Sequence, residues 1–182
     1  EMGDPINITV YEGKNIKKVV IKKGVVSLPD NAFKDCKKLK KIVLPSTLKR
    51  IGARAFSNTT ALKSLNLPNG IKTIKEHTFE KSGIEKVNIP KTVKKIGAYA
   101  FEECQIKNIT IPKSVKSIEP GAFAGSSIKS ITIPKTVKKL GEGVFGNCKK
   151  LESITMPGNI GIIKDEDPDY EYQPGSFLGR KC

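Results

Sequence analysis

The chain repeats itself at a fixed interval, and this repetition constrains the fold more than any other feature. Residues 89–112 read IPKTVKKIGAYAFEECQIKNITIP, and residues 111–134 read IPKSVKSIEPGAFAGSSIKSITIP. A period of this length is typical of a solenoid, in which each coil contacts only its neighbours and no coil buries a core alone. Two residue types mark the period, which is 22 or 23 residues throughout: Phe33, Phe56, Phe79, Phe101, Phe123 and Phe145, and Pro45, Pro68, Pro90, Pro112, Pro134 and Pro157.

Each coil is predicted to contain two apolar walls and one aromatic plug. In the segment IKNITIP (106–112), the apolar–polar alternation over residues 109–111 predicts a short strand with its apolar side inward. The proline ends this strand because it has no N–H to donate. Val115 and Ile118 follow at a spacing that predicts a second inward-facing wall. Small residues before each Phe predict a tight turn, with a short 3₁₀ or helical turn around the plug.

The coil pattern L-x-x-L-x-L-P…V-x-x-I-G-x-x-A-F-x-x-C/S resembles the BspA-like class of bacterial leucine-rich repeats over residues 16–163. The resemblance implies a leucine-rich-repeat solenoid: a curved, right-handed β/α superhelix of 22–23-residue coils, mostly short parallel strands with 3₁₀ or helical turns. It also implies a secreted or surface-anchored protein of bacteria or protists, of adhesin type, with no catalytic site. We therefore expect a capping segment at 1–15, six to seven coils over 16–163, and a degenerate coil with an acidic insertion at 164–182.

Charge is distributed unevenly along the chain. The 182 residues include 33 Lys and Arg against 18 Asp and Glu, a net charge of +15. Residues 16–163 alone hold 29 basic and 10 acidic residues, so the predicted solenoid carries +19 and both ends are acidic. No run of about 18 apolar residues is present, so we expect no membrane span. The opening EMGDPINITVYEG has no signal-peptide pattern, and we expect a mature or trimmed fragment.

The cysteines are predicted to be structural. Cys36, Cys104 and Cys148 each lie three residues after a repeat Phe, where other coils carry Thr or Ser, so a small buried residue is expected there. Cys104 and Cys148 are two coils apart, which is too far for a disulfide. Cys148 and Cys182 could be neighbours, and their pairing stays open. Without C-x-x-C spacing, and with His77 as the single histidine, no zinc site is expected.

No arrangement of residues predicts catalysis. His77 occupies an ordinary repeat position, and no pair of carboxylates is fixed on facing elements. Corner glycines (Gly52, Gly97 and Gly141) are expected where the chain turns, and none forms a phosphate-binding pattern. The alternating aspartates of residues 165–169 resemble a calcium loop only faintly, because Pro168 interrupts them, so a solvated acidic loop is predicted. We expect neither an enzyme nor a cofactor.

Outward positions of the coils align into columns, and two sets of columns are candidate ligand surfaces. On the strand face, small neutral residues predict either a hydrogen-bonding surface for a glycan or peptide or an ordinary solvated strand. On the opposite wall, lysines predict either a surface for an acidic polymer or a solvated, solubilising face. The strand-face column contains Asn66, Asn88, Thr110, Thr132 and Thr155. The lysine columns contain Lys49, Lys72, Lys94, Lys116 and Lys138, and Lys91, Lys113 and Lys135.

Two functions from different classes remain open. The first is a non-catalytic surface module that binds a macromolecule of a host or neighbouring cell, either a protein or an acidic glycan. The second is a passive spacer that displays another domain. Only three of the 33 basic residues are Arg, and aromatic residues do not alternate with the lysines, so dedicated nucleic-acid binding is not expected. We expect a monomer at the cell surface or outside the cell.

Overall fold

The chain forms a parallel β-solenoid of about seven turns. The computed structural model describes residues 15–163, and every strand pair within that range is parallel and about one repeat apart in sequence. The leucine-rich-repeat solenoid predicted from the sequence is therefore confirmed. The division at residues 15 and 163 stays a prediction. The capping segment and the acidic insertion lie outside the described residues.

One wall, here called the first wall, holds strands that precede the repeat prolines. They pair as β1–β3, β5–β7 and β10–β12, and the central residue of each, such as Ile42 or Leu65, points inward. This apolar-in, polar-out alternation is the pattern predicted for the strands. The first-wall strands are β1 (Lys18–Val20), β3 (Lys41–Val43), β5 (Ser64–Asn66), β7 (Lys86–Asn88), β10 (Ser130–Thr132) and β12 (Ser153–Thr155).

The opposite wall, here called the second wall, carries the longer sheet. Five of its strands form one sheet in the order β13-β11-β9-β8-β6, and β2 pairs with β4. The predicted second wall of apolar residues is thus a sheet in its own right, so residues 15–163 carry parallel sheets on two faces. The second-wall strands are β2 (Ser27–Leu28), β4 (Arg50–Ile51), β6 (Thr73–Ile74), β8 (Lys95–Ile96), β9 (Ser117–Ile118), β11 (Lys139–Gly141) and β13 (Gly161–Ile163).

The strand predicted at residues 109–111 is not formed, so that prediction was wrong. Ile109 is half-buried and Ile111 is buried, so the inward pattern survives. Lys129 N–H donates to Lys107 O at 3.2 Å nearby, but within the described residues no backbone hydrogen bond joins residues 109–111 to a neighbouring coil. The first-wall ladder is therefore interrupted at this coil, as it also is between β3 and β5, while the second wall passes through this coil without a break.

The expected 3₁₀ or helical turns are also absent, since residues 15–163 contain no helix. Around the first plug, Asn31, Phe33 and Asp35 donate their N–H groups to the next coil, at 2.8, 2.8 and 3.0 Å. A helix would need these donors for bonds within the coil. Two positions per coil instead adopt left-handed backbone angles, and they lie two residues before and two residues after the Phe. These residues are Asn31, Arg54, His77, Tyr99, Gly121 and Gly143, and Asp35, Asn58, Lys81, Glu103, Gly125 and Asn147.

The repeat phenylalanines form one continuous stack through the core. Neighbouring rings lie 5.2–5.9 Å apart between centroids, with interplanar angles between 1° and 13°. Every ring is buried, with at most 3 % of its surface exposed. Rings at this separation and tilt adopt the offset-stacked arrangement that aromatic pairs favour. The stack links each coil to the next and fixes their register.

The corner glycines are required for close approach rather than for turning. Gly52, Gly97 and Gly141 do not have positive φ angles, so the expected reason for glycine was wrong. A Cβ at Gly97 would lie 2.7 Å from the backbone nitrogen of Glu76, and a Cβ at Gly52 would overlap the Pro29 carbonyl. Real Cβ atoms do not approach backbone this closely. Glycine therefore allows successive coils to come into contact at this corner.

We expect Phe101→Ala to lower the free energy of unfolding by about 3–5 kcal/mol, because it removes a ring stacked on both sides and leaves a cavity. Equilibrium denaturant titration measures the change. The matched control is Thr110→Ala, an exposed position in the same coil, which should change stability by less than about 0.5 kcal/mol. A loss below about 1 kcal/mol for Phe101→Ala would contradict the role assigned to the stack.

We expect Lys81→Gly to be more stable than Lys81→Ala by about 1 kcal/mol, because Lys81 has φ 53° and a Cβ is disfavoured in that region. Gly125 already occupies the same position two coils later. Both variants lose the long, exposed contacts of Lys81 with Glu80 and Glu103, at 3.9 and 4.0 Å, so the comparison isolates the backbone. Equal denaturation midpoints for the two variants would show that the left-handed angle is not strained.

Candidate functional site

The first lysine column consists of Lys91, Lys113 and Lys135. It lies at a β-turn that successive coils repeat. In three successive coils the prolines at positions 90, 112 and 134 accept a hydrogen bond from the residue three positions later, at 3.0–3.1 Å. The residue after proline is therefore at the tip of a tight turn, and its side chain faces solvent. This residue is Lys91, Lys113 or Lys135, and all three are exposed. These three side chains therefore align in one column along the solenoid.

The second lysine column lies where the chain leaves this turn for the second wall. Lys94 N–H donates to Lys72 O, Lys116 to Lys94 and Lys138 to Lys116, each at 2.8 Å. Direct bonds between successive coils place the Cα atoms about 5 Å apart. Lys49 occupies the equivalent position one coil before Lys72, and all five side chains are exposed. The two columns run side by side, three residues apart in sequence within each coil.

None of these eight lysines forms an ion pair with any carboxylate among residues 15–163. Elsewhere on the solenoid lysines do find carboxylates: Lys63 lies 3.2 Å from Glu85, and Lys95, beside the second column, lies 3.2 Å from Glu119. Like charges at this spacing repel one another, and water and salt screen the repulsion only partly. The columns are therefore a concentrated positive surface whose charge the described protein does not neutralise.

The strand-face column is exposed but discontinuous. Asn66 pairs in register with Asn88, and Thr132 pairs with Thr155. Thr110 lies between these pairs, at the place where the first-wall ladder is interrupted. All five predicted residues of this column are exposed. Because the column is uncharged and broken at its centre, it offers a ligand a less regular surface than the lysine columns do.

Cys36 and Cys104 are buried, as predicted, and Cys148 is half-buried at the equivalent position of a later coil. Cys104 Sγ donates to Phe79 O at 2.9 Å and lies 3.3 Å from Ser82 Oγ. Burial, the largest influence, raises the pKa of the Cys104 thiol to about 12. Cys148 repeats the arrangement by donating to Phe123 O at 3.1 Å, and burial raises its pKa too. These groups are thiols at neutral pH and are poor nucleophiles; Cys182 lies outside the described residues.

The structure also brings together a polar cluster that sequence reasoning missed. His77 Nδ1 lies 3.2 Å from Glu80 Oε2, and the Glu102 carboxylate of the next coil is close to both. Contact with His77 is the main cause that lowers the pKa of Glu80. Burial is the main cause that raises the pKa of Glu102. One signal could have revealed the cluster, since residues 80 and 102 are one period apart and both directly follow a repeat Phe.

Comparison with known proteins agrees with the repeat architecture of the chain. A family model described as BspA type Leucine rich repeat region (6 copies) matches residues 4–88 and 72–166. A leucine rich repeat protein of T. pallidum is similar, at 30% identity and a TM-score of 0.76, covering 82% of this chain and 74% of that one. A leucine-rich repeat protein from Bacteroides ovatus is similar at 30% identity and a TM-score of 0.66, covering 81% of this chain and 48% of that one. No curated protein matches the chain.

The fold defines the class of protein as a leucine-rich-repeat solenoid. The family match extends over most of the chain, and the chain belongs to the BspA-type leucine-rich repeat family. This confirms the resemblance inferred from the coil pattern. Within the described residues, no helix has the length and apolar character needed to cross a membrane.

We expect Cys36 and Cys104 of the native protein to resist a thiol reagent, because neither has any exposed surface. Peptide mass spectrometry after timed labelling measures each cysteine separately, with the chain in denaturant as the reference. Because the pKa of Cys104 is about 12, raising the pH to 9 should not make it reactive. Native labelling of Cys104 at the rate of the denatured chain would place it outside the core.

Proposed function

We propose that this chain is a non-catalytic interaction module at the cell surface or outside the cell, of adhesin type, whose two lysine columns bind an acidic glycan. Leucine-rich repeat domains are typically protein-interaction modules, and BspA-type repeat proteins are generally not enzymes. The observation that carries the proposal is the pair of parallel columns of eight exposed lysines with no carboxylate partner among the described residues.

The geometry of the columns favours an extended polyanion over a compact acidic ligand. Charges recur about every 5 Å along the solenoid, so a polymer lying across successive coils meets a new lysine in each one. Each contact is weak because the lysines are solvated, and affinity comes from many contacts made together. Binding of anions would also relieve the repulsion between lysines within each column.

Residue types on this surface favour a sulfated or carboxylated polymer over nucleic acid. Lysine offers a compact charge without the planar fork that arginine uses to hold phosphate at two points. The described aromatic residues outside the phenylalanine stack are His77, which is half-buried, and Tyr99, which is buried, so no ring is available to stack on bases. An acidic glycan needs neither feature, because it is held by charge density alone.

The passive-spacer hypothesis makes the opposite prediction about this surface. If the lysines serve only solubility, binding to polyanions should depend on net charge and not on where the charge lies. A comparison of variants with equal net charge but different lysine positions therefore separates the two functions.

We expect the triple variant Lys72→Gln, Lys94→Gln and Lys116→Gln to elute from immobilised heparin at clearly lower salt than the wild type. The slope of the logarithm of the binding constant against the logarithm of the salt concentration should become less steep by about one for each lysine that contacts the polymer. Affinity should also rise with the length of the heparin fragment, because longer chains span more coils.

The matched control changes Lys107, Lys129 and Lys149 to Gln, since these exposed lysines lie outside the two columns and remove the same charge. It should keep most of the retention of the wild type. Equal elution of the two triple variants would overturn the assignment to the columns. No retention of the wild type at low salt would favour the spacer.

A further inference from the structure

Three side chains capable of binding a metal ion converge on one side of the third and fourth coils. They are His77, Glu80 and Glu102, and one ligand atom from each lies within 4.8 Å of the others. The first two belong to one coil, and Glu102 reaches them from the next coil because it occupies the same repeat position as Glu80. Each side chain is half-buried rather than fully exposed. The cluster lies beside the phenylalanine stack and contains no residue of the lysine columns.

The imidazole nitrogen that faces this cluster has no satisfactory partner. His77 Nδ1 is buried and forms no hydrogen bond of good geometry within residues 15–163, although Glu80 Oε2 is only 3.2 Å away. The ring is held in place by stacking on Tyr99, with 5.1 Å between centroids. A buried polar atom whose contact with a carboxylate is poorly aligned is only partly satisfied, and this costs folding free energy.

The carboxylates add a second source of unfavourable energy. Glu80 and Glu102 face each other across adjacent coils, and burial together with the nearby charges of Glu80 and Glu103 raises the pKa of Glu102. Lys81 is the nearest compensating cation, but its Nζ is 3.9 Å from Glu80 and its side chain is half exposed. Such exposed pairs are weak and can be displaced. A cation placed between the three groups would satisfy the nitrogen and both carboxylates at once.

We propose that His77, Glu80 and Glu102 form a binding site for one divalent transition-metal ion, with Zn²⁺ as the best-suited probe. One imidazole nitrogen with two carboxylate oxygens is a donor set that zinc accepts, whereas Mg²⁺ and Ca²⁺ prefer oxygen alone. Three protein ligands leave a fourth position for water or for an atom of a partner molecule. Ser57 Oγ donates a hydrogen bond to Glu80 Oε2 at 3.4 Å and so restrains the orientation of the Glu80 carboxylate.

The site has to contract slightly to bind the ion. Ligand atoms around a tetrahedral zinc with bonds of about 2.1 Å lie about 3.4 Å apart. Glu80 and His77 are already close to this separation, at 3.2 Å, so the contraction falls mainly on Glu102, which is half-buried. This site needs neither a C-x-x-C pattern nor a second histidine. Coil stacking, rather than closeness in sequence, brings Glu102 to His77 and Glu80.

The test follows the imidazole signals of the 182-residue chain by NMR during a zinc titration. His77 is the only histidine, so these signals report on one site without assignment. The variant Cys182→Ser serves as the background, which removes a competing thiol outside the described residues. We expect the signals to shift and saturate at one equivalent of zinc, with an accompanying rise in Tm.

Two substitutions borrow residues that other coils already carry at the same positions. His77→Asn matches Asn31, which tolerates the left-handed angle, and Glu102→Ala matches Ala124. Each variant should keep the fold by circular dichroism, and each should weaken zinc binding, measured calorimetrically, by about tenfold or more. Glu85→Gln should bind zinc as the wild type does, because Glu85 pairs with Lys63 and lies outside the cluster.

An imidazole signal that does not move at excess zinc would overturn the proposal in the Cys182→Ser background alone, without any substitution in the cluster. Zinc affinity unchanged in both His77→Asn and Glu102→Ala would overturn it equally, because binding would then be elsewhere. Neither result would affect heparin retention, so this proposal and the proposed function stand or fall separately.

Discussion

Stacking of coils in register is the constraint on which the rest of the structure depends. A single coil of 22 or 23 residues has too little apolar surface to fold alone, and its backbone groups need partners beyond the coil. The phenylalanine stack supplies the apolar contact, with rings 5.2–5.9 Å apart, and the N–H groups of the plug segments bond to the following coil. Both interactions require the same spacing, so the sequence must repeat for either to form.

The same constraint turns single residues into surface columns. A residue at one outward position stands directly above its counterpart in the next coil, so a small bias in composition becomes a continuous surface. Lysine repeated at the turn tip and at the entry to the second wall becomes a double row of unpaired charge. Glutamate repeated after two successive phenylalanines becomes a pair of facing carboxylates, and His77 completes a cluster that could hold an ion. Binding surfaces in this fold therefore arise from repetition rather than from a pocket.

Sequence reasoning failed at positions where local pattern and stacking compete. Residues 109–111 alternate as a strand should, yet they do not pair, because pairing depends on where the neighbouring coils lie. The small residues before each Phe were expected to give a helical turn, but stacking takes the N–H groups that a helix needs and imposes left-handed angles on residues such as Tyr99. Gly97 is needed for the approach of the previous coil, a reason that a turn-based argument cannot reveal.

The sequence by itself determined the period, the inward positions, the buried cysteines and the lysine columns, because each of these depends only on the alternation of residues within one coil and its exact repetition. The tertiary structure alone decided which strands pair, which backbone angles the plug adopts, and which polar groups from different coils meet. These outcomes depend on the distances between coils, and the linear pattern contains no such distances. His77, Glu80 and Glu102 illustrate the difference: each is ordinary within its own coil, and only stacking brings their donor atoms together.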